Sequence, residues 1–172
     1  MRGNRAVSLI ELIVAVVILG LVALLAIPRL TRAAPPPDRS AALKVQLKTL
    51  RCAVERYYQD HGTYPGCSGD GEHTAGTAAA LSAQLCLFTD PQGHVSATRD
   101  ATHRFGPYLR DGIPANPVLP RSLAGVCLVR GTAPPAPAPD APEAGWIYDC
   151  DTGRLIANTP ATDPKGQPYS TY

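Results

Sequence analysis

Residues 1–30 read MRGNRAVSLIELIVAVVILGLVALLAIPRL, a short basic leader followed by a long apolar run. Glu11 is the only ionisable side chain between Val7 and Ile27. As a helix, this stretch would be about 31 Å long, which is enough to cross a bilayer. Because a charge inside a bilayer costs roughly 2.5–3.5 kcal/mol, it is normally retained for a partner or a function. The sequence therefore predicts a functional role for Glu11.

The flanks of the apolar run predict its orientation. Arg2 and Arg5 precede it, which favours a cytoplasmic N-terminus and export of the remainder. The run is longer than that of a cleavable secretory signal, and Ala26-Ile27-Pro28 does not match an A-x-A-like cleavage site. We therefore expect a single-pass anchor that stays in the membrane. An ordinary signal anchor, in which Glu11 reaches the headgroups, is the alternative interpretation.

The segment Ala6-Val7-Ser8-Leu9-Ile10-Glu11-Leu12 resembles the N-terminus of type IV pilins and type II secretion pseudopilins. In that family a basic leader and a small residue precede an aromatic residue and Thr-Leu-Ile-Glu-Leu, whereas this chain has Val7 at the aromatic position. The resemblance implies that a prepilin peptidase cleaves between Ala6 and Val7 and that the new Val7 amine is methylated. It also implies that Glu11 neutralises the terminal ammonium of a neighbouring subunit and sets the filament register.

Two helix-weakening residues follow in the same segment. Gly20 lowers helix propensity by about 1 kcal/mol, and Pro28 lacks the N–H that a helix needs. The resemblance implies local unwinding between Gly20 and Pro28 during assembly, and a simple kink at Pro28 is the alternative. The sequence AAPPP at residues 33–37 then predicts a break before the next helix.

Beyond this break, the apolar pattern predicts an amphipathic stem helix over residues 38–62, capped by Asp38 or Ser40. Its buried positions recur at steps of four, three, four and three: Leu43, Leu47, Leu50, Val54 and Tyr57. A shorter helix is expected over Thr77 to Phe88. The stem ends in RCAVERYYQDHGTYP, which resembles the end of a pseudopilin stem.

Three strands are predicted near the C-terminus: Gly125 to Val129, Gly145 to Tyr148, and Arg154 to Ala157. A DCDTG turn joins the last two as a hairpin, and the proline-alanine segment from Thr132 to Pro142 forms an extended excursion between the first two. The string GWIYDCDTGRLIAN resembles the G-like pseudopilin subgroup. We expect an α+β, pilin-like fold, in which a long N-terminal helix packs on a small three-stranded antiparallel sheet.

The expected organisation follows from these elements. It comprises a leader (1–6), a transmembrane and assembly helix (7–32) and a periplasmic head (33–172), whose parts are the stem helix (38–62), a variable loop (63–120), the sheet (121–158) and a tail (159–172).

Five cysteines lie beyond the apolar segment, where an oxidising compartment would allow disulfides. Cys127 and Cys150 fall near the ends of two neighbouring predicted strands, which favours a bridge between them. A second bridge, between Cys67 and Cys86, would close the variable loop. Cys52 lies opposite the apolar stripe and is expected to be unpaired, although the pairing cannot be deduced from spacing alone.

No set of residues predicts catalysis, a metal or a cofactor. His61, Cys67 and His73 match no zinc spacing, and disulfide and loop roles are the simpler interpretation. The family resemblance would suggest calcium, but the acidic residues near the C-terminus do not reproduce such a loop. These acidic residues are Asp149, Asp151 and Asp163. We therefore expect no enzymatic activity.

The charge balance does not favour nucleic-acid binding. Removing Arg2 and Arg5 from the 16 basic side chains leaves as many basic as acidic side chains, of which there are 14. The mature chain is therefore near neutral, without the basic stripe that a nucleic-acid footprint requires.

The expected function is that of a structural subunit in a type II secretion pseudopilus. Its expected partners are copies of itself, minor pseudopilins, prepilin peptidase and an inner-membrane secretion platform driven by a cytoplasmic ATPase. The expected location is the bacterial inner membrane, with the head in the periplasm, and later an extracytoplasmic filament. Two alternatives are a type IV pilus subunit for adhesion, motility or DNA uptake, and a membrane-anchored periplasmic binding domain that never polymerises.

Overall fold

The computed structural model describes residues 10, 12–18, 39–119, 123–131, 133–138 and 143–172. The chain divides into two compact units, Met1–Asp38 and Arg39–Tyr172. In the first unit, Ile10 and residues 12–18 are helical. The predicted break at residues 33–37 lies outside the described residues.

The stem helix, α1, spans Arg39–His61 and confirms the predicted amphipathic helix. Its buried side chains are Leu43, Leu47, Leu50, Ala53, Val54 and Tyr57, which repeat the pattern seen in the sequence. Ser40 lies inside the first turn, and Asp38 lies outside the described residues. Gly62 follows the last helical residue, and its φ of +71° suits glycine; its N–H donates to the Tyr58 carbonyl at 2.8 Å and so caps the helix.

The variable loop contains more regular structure than the sequence predicted. A short helix, α2, spans Ala78–Cys86, and the Thr77 side chain caps it by accepting the N–H of Ala80. Two strands, β1 (Phe88–Thr89) and β2 (Val95–Ser96), then pair antiparallel across the DPQG turn. The sequence predicted this turn but not the two-residue strands beside it.

The second sheet has three strands in the order β3-β4-β5, at the positions that the sequence predicted. They are β3 (Gly125–Val129), β4 (Ala144–Asp149) and β5 (Arg154–Ala157). Strand β4 lies in the middle with all six residues buried, and it pairs antiparallel with β5, as the predicted hairpin requires.

The prediction of a fully antiparallel sheet is wrong, because β3 runs parallel to β4. Antiparallel neighbours can be joined by a tight turn, whereas parallel neighbours need a crossover that carries the chain back to its starting end. The proline-alanine segment lies in that crossover, and its described part, residues 133–138, has no helix or strand. The amide of Ala138 there donates to the Asn158 side chain at 2.9 Å, just beyond β5.

The core of the head lies where α1 meets the three-stranded sheet and α2. Trp146 and Tyr148 of β4 are fully buried in the cluster that also holds Leu47 and Leu50 of α1. Arg51 adds a polar link, since its guanidinium donates to the Leu155 carbonyl of β5 at 2.8 Å. The stem helix is thus held on the sheet by apolar burial and by a hydrogen bond to β5.

Candidate functional site

The described part of the N-terminal unit is a helical stretch with exposed apolar side chains. Every large apolar residue there is more than half exposed: Ile10, Leu12, Ile13, Val14, Val16, Val17 and Ile18. Covering a side chain of this size contributes about 1.5–3 kcal/mol when it leaves water. Transfer of this stretch from water to an apolar environment, such as lipid or the apolar face of another helix, would therefore be favourable.

The residues predicted to carry processing and assembly lie outside the described residues: Ala6, Val7, Glu11, Gly20 and Pro28. The two neighbours of Glu11 are described. Ile10 and Leu12 are both helical, with 70% and 61% of their surface exposed.

Over the residues that the structure describes, there is no helix with both the length and the apolar character needed to cross a bilayer.

Three groups that can bind metals or react with oxidants converge beside the end of β4. Cys67 follows α1, and its thiol donates to the backbone carbonyl of Cys150 at 2.6 Å. One ligand atom from each of Cys67, Cys150 and Asp151 lies within 4.8 Å of the others. Burial raises the pKa of Cys67 to about 12, and its interaction with Cys150 adds to this rise. At neutral pH Cys67 is therefore a thiol.

All five cysteines are free thiols, so the structure contains neither of the two predicted bridges. The parallel pairing of β3 with β4 explains why Cys127 and Cys150 are not bridged, because Cys127 lies opposite Ile147, three residues before Cys150. That offset corresponds to about 10 Å along a strand, beyond the Cα separation that a disulfide tolerates. In the predicted Cys67–Cys86 bridge, the thiol of Cys67 contacts Cys150 instead of Cys86. Cys52 is exposed on α1, in keeping with its position opposite the apolar stripe.

The residues His61, Cys67 and His73 do not come together. The His61 ring stacks on Tyr57, and its two nitrogens each lie 3.0 Å from a backbone carbonyl oxygen. His73 instead faces Asp70, with Nδ1 2.7 Å from the carboxylate.

Asp70 and His73 belong to a type of turn that occurs three times in the described part of the head, in which an aspartate accepts hydrogen bonds from the residues just after it. Asp70 accepts the backbone N–H groups of Glu72 and His73 as well as the His73 ring. Burial disfavours the charged carboxylate, but these hydrogen bonds outweigh it and lower the pKa of Asp70. The same arrangement recurs twice, in Asp90 with His94 and in Asp100 with His103.

The acidic residues near the C-terminus also stabilise turns. Asp149 accepts the Asp151 amide and the Thr152 hydroxyl within the β4–β5 turn. Asp163 accepts two backbone amides of its own turn and the Tyr172 hydroxyl, the latter at 2.6 Å. Among the residues that the structure describes, neither side chain converges with other acidic groups on a cation site.

A family comparison bears on the N-terminal unit. Residues 1–27 match the model of the prokaryotic N-terminal methylation motif. The chain carries a prepilin-type N-terminus. This signature is shared by type IV pilins and pseudopilins, and it confirms the resemblance drawn from the sequence around Glu11. No curated protein and no solved structure is significantly similar to the chain.

The prepilin-type N-terminus implies processing by a prepilin peptidase, anchoring in a membrane through the N-terminus and assembly into filaments. The motif covers the exposed apolar stretch at residues 12–18.

The contact of Cys67 with Cys150 was not predicted from the sequence. The two residues are 83 positions apart, and no local pattern links a loop after one helix to the end of a distant strand. The cysteine content indicated only that disulfides were chemically available.

Proposed function

We propose that the chain is a subunit of a type II secretion pseudopilus. The observation that carries this proposal is the exposed apolar helical stretch at residues 12–18, which lies inside the prepilin-type motif. A helix of this character is suited first to a lipid bilayer and then to side-by-side packing with identical helices. The role is therefore assembly and not catalysis.

The assembly step places a carboxylate in an apolar bundle. Cleavage after Ala6 makes Glu11 the fifth residue of the mature chain and creates a terminal ammonium on Val7. Ile10 and Leu12, which precede and follow Glu11 in the sequence, both present exposed apolar surface. An unpaired charge there would oppose packing, whereas a neighbour's ammonium would offset it and fix the axial register.

The polar groups of the head support a structural role. The carboxylates of Asp70, Asp90 and Asp163 are each hydrogen-bonded within a turn, and the ring nitrogens of His61 face carbonyl oxygens. An acid–base catalyst needs such groups directed at a substrate. These side chains stabilise the loops that surround the sheet.

The secretion version is favoured over a pilus by the resemblance of GWIYDCDTGRLIAN to G-like pseudopilins. This string forms the buried strand β4, its turn and β5, on which the stem helix packs. In this role the partners are further copies of the chain, minor pseudopilins and an inner-membrane secretion platform.

The proposal is tested by Glu11→Ala in a strain that has prepilin peptidase and a secretion system. We expect subunit addition to weaken about 100-fold or more, because breaking a buried ion pair costs about 3–5 kcal/mol. Filaments sheared from the cells and visualised by electron microscopy would measure the loss. Glu11→Asp should retain part of the assembly, because it keeps the charge.

Glu55→Ala is the matched control, because it removes an exposed carboxylate from the stem helix. It should assemble normally. Filaments from Glu11→Ala in wild-type amounts would contradict the role given to Glu11. No filaments from the unmodified chain would favour the non-polymerising binding domain.

Gene deletion separates the secretion role from the pilus role. A pseudopilus subunit should be needed for release of exported proteins, which would accumulate in the periplasm of the deletion strain. Normal release together with loss of surface filaments would instead indicate a type IV pilus.

A further inference from the structure

The loop after the stem helix meets the end of the central strand through two cysteines. Cys67 and Cys150 have Sγ atoms within 4.8 Å of each other, and the Cys67 thiol contacts the Cys150 carbonyl. A disulfide requires the sulfur atoms to approach to about 2 Å, and rotation about the side-chain torsions moves them over distances of this size.

Hydrogen bonds on both sides hold the Cys67 backbone in place. The amide of Gly66 donates to the buried Gln84 side chain at 2.7 Å. Arg130 donates to the Cys67 carbonyl at 2.6 Å from the end of β3. The partner is fixed as well, since the Cys150 amide donates to the Val129 carbonyl. The two thiols are thus brought together by the fold of the head and not by a local turn.

We infer that Cys67 and Cys150 form a disulfide in the mature protein, which fastens the loop after α1 to the end of β4. The inference rests on the proposed function, because that function places the head in an oxidising compartment. The bridge closes a long loop that contains α2 and the β1–β2 hairpin.

The reaction is a thiol–disulfide exchange with a protein that carries a reactive disulfide. Cys67 is half-buried, and because its pKa is raised, only the small fraction that has lost its proton reacts. This thiolate attacks the oxidant's disulfide, forms a mixed disulfide and expels the oxidant's first thiolate. The Cys150 thiolate then attacks the Cys67 sulfur and expels the oxidant's second thiolate. The two protons released by the cysteines are taken up by the oxidant, which leaves as a dithiol.

The same side chains suit zinc less well. Together with Asp151 they supply three ligand atoms, whereas structural zinc sites have four. The guanidinium of Arg130, which bonds the Cys67 carbonyl, also places a positive charge beside this position. Both features favour a covalent bridge over a divalent cation.

Thiol mapping of the full chain tests the inference. The protein is isolated from cell membranes, its thiols are alkylated under denaturing conditions without reductant, and its peptides are identified by mass spectrometry. We expect three of the five cysteines to be labelled, namely Cys52, Cys86 and Cys127. Cys67 and Cys150 should appear in one linked peptide pair, about 2 Da lighter than the two free thiol peptides.

Two variants and a metal measurement make the result specific. Cys67→Ser should free Cys150 for labelling, and Cys52→Ser should leave the linked pair unchanged. Alkylation of both Cys67 and Cys150, or a link from either one to another cysteine, would overturn the inference. Stoichiometric zinc in the isolated protein, lost in Cys67→Ser, would overturn it as well.

The same peptide map identifies the N-terminal residue of the chain, so the bridge and the proposed function are tested separately. A chain that begins at Val7 with both thiols labelled would overturn the bridge and leave the proposed function standing. A chain that retains Met1 but contains the linked pair would support the bridge and contradict processing.

Discussion

Leu50→Ala should destabilise the head strongly, because Leu50 packs between the stem helix and the sheet. Its side chain is 1% exposed and belongs to the same apolar cluster as Trp146. The change removes three carbon atoms, worth about 2.4 kcal/mol at about 0.8 kcal/mol each. The cavity left behind raises the expected cost to about 3–5 kcal/mol.

The assay is thermal unfolding of the detergent-solubilised full chain, followed by tryptophan fluorescence. Trp146 is the only tryptophan and is fully buried, so its emission reports the core of the head directly. For a domain of this size, about 3–5 °C is lost per kcal/mol. We therefore expect Leu50→Ala to lower Tm by about 9–25 °C.

Val45→Ala provides the control on the same helix. Val45 is 63% exposed, so truncation should change the stability by less than about 0.5 kcal/mol. A Tm for Leu50→Ala within 2–3 °C of the Val45→Ala value, on the scale of about 3–5 °C per kcal/mol, would refute the packing of α1 on the sheet.

Three further changes test the loops and the sheet. The pKa of Asp70 is lower in the folded protein than its unfolded value of 3.8, so ionised Asp70 stabilises the head above pH 3.8, and this stabilisation is lost as the pH falls through the folded pKa. Asp70→Asn should therefore flatten the fall in Tm on acidification below about pH 4. An unchanged dependence of Tm on acid pH would exclude this role. Gly153→Ala should cost about 1–3 kcal/mol more than Gly112→Ala in chemical denaturation. Both glycines have positive φ, but only at Gly153 would a Cβ fall 2.3 Å from the Tyr64 ring; equal costs would argue against this contact. Trp146→Phe removes a buried indole N–H that donates to the half-buried Pro114 carbonyl at 2.8 Å. We expect the free energy of unfolding, measured by denaturation followed by circular dichroism, to fall by about 1–3 kcal/mol, whereas unchanged stability would show that the bond contributes little.

The helices and strands of the head were largely predictable because their signals are local. In α1, apolar residues at steps of three and four predicted the stem helix, and the glycine after it marked its end. The DCDTG turn predicted the β4–β5 hairpin. The direction of β3 was not predictable. The alternation within a strand is the same whether its neighbour is parallel or antiparallel, and residues 130–143 carry no local signal of a crossover.

The candidate functional residues were likewise predictable only where their signal is local in the sequence. One charge in an apolar run predicted a functional role for Glu11, and the family resemblance assigned that role to assembly. The match to residues 1–27 confirms the prepilin-type motif around Glu11, and its role in assembly stays a prediction. The cysteine contact depends on how the fold brings together Cys67 and Cys150, 83 residues apart. The wrong direction of β3 therefore led the sequence-based prediction to place Cys127, and not Cys67, beside Cys150. The β1–β2 strands were missed because two residues each are too few for a periodic pattern.

The mass of the N-terminal peptide of the protein, purified from membranes, decides whether the chain is processed as a filament subunit. We predict a peptide that begins at Val7 and carries one methyl group on its terminal amine, with the leader absent. A peptide that begins at Met1 and retains Arg2 and Arg5 would contradict cleavage at Ala6. It would also remove the terminal ammonium with which Glu11 is proposed to pair.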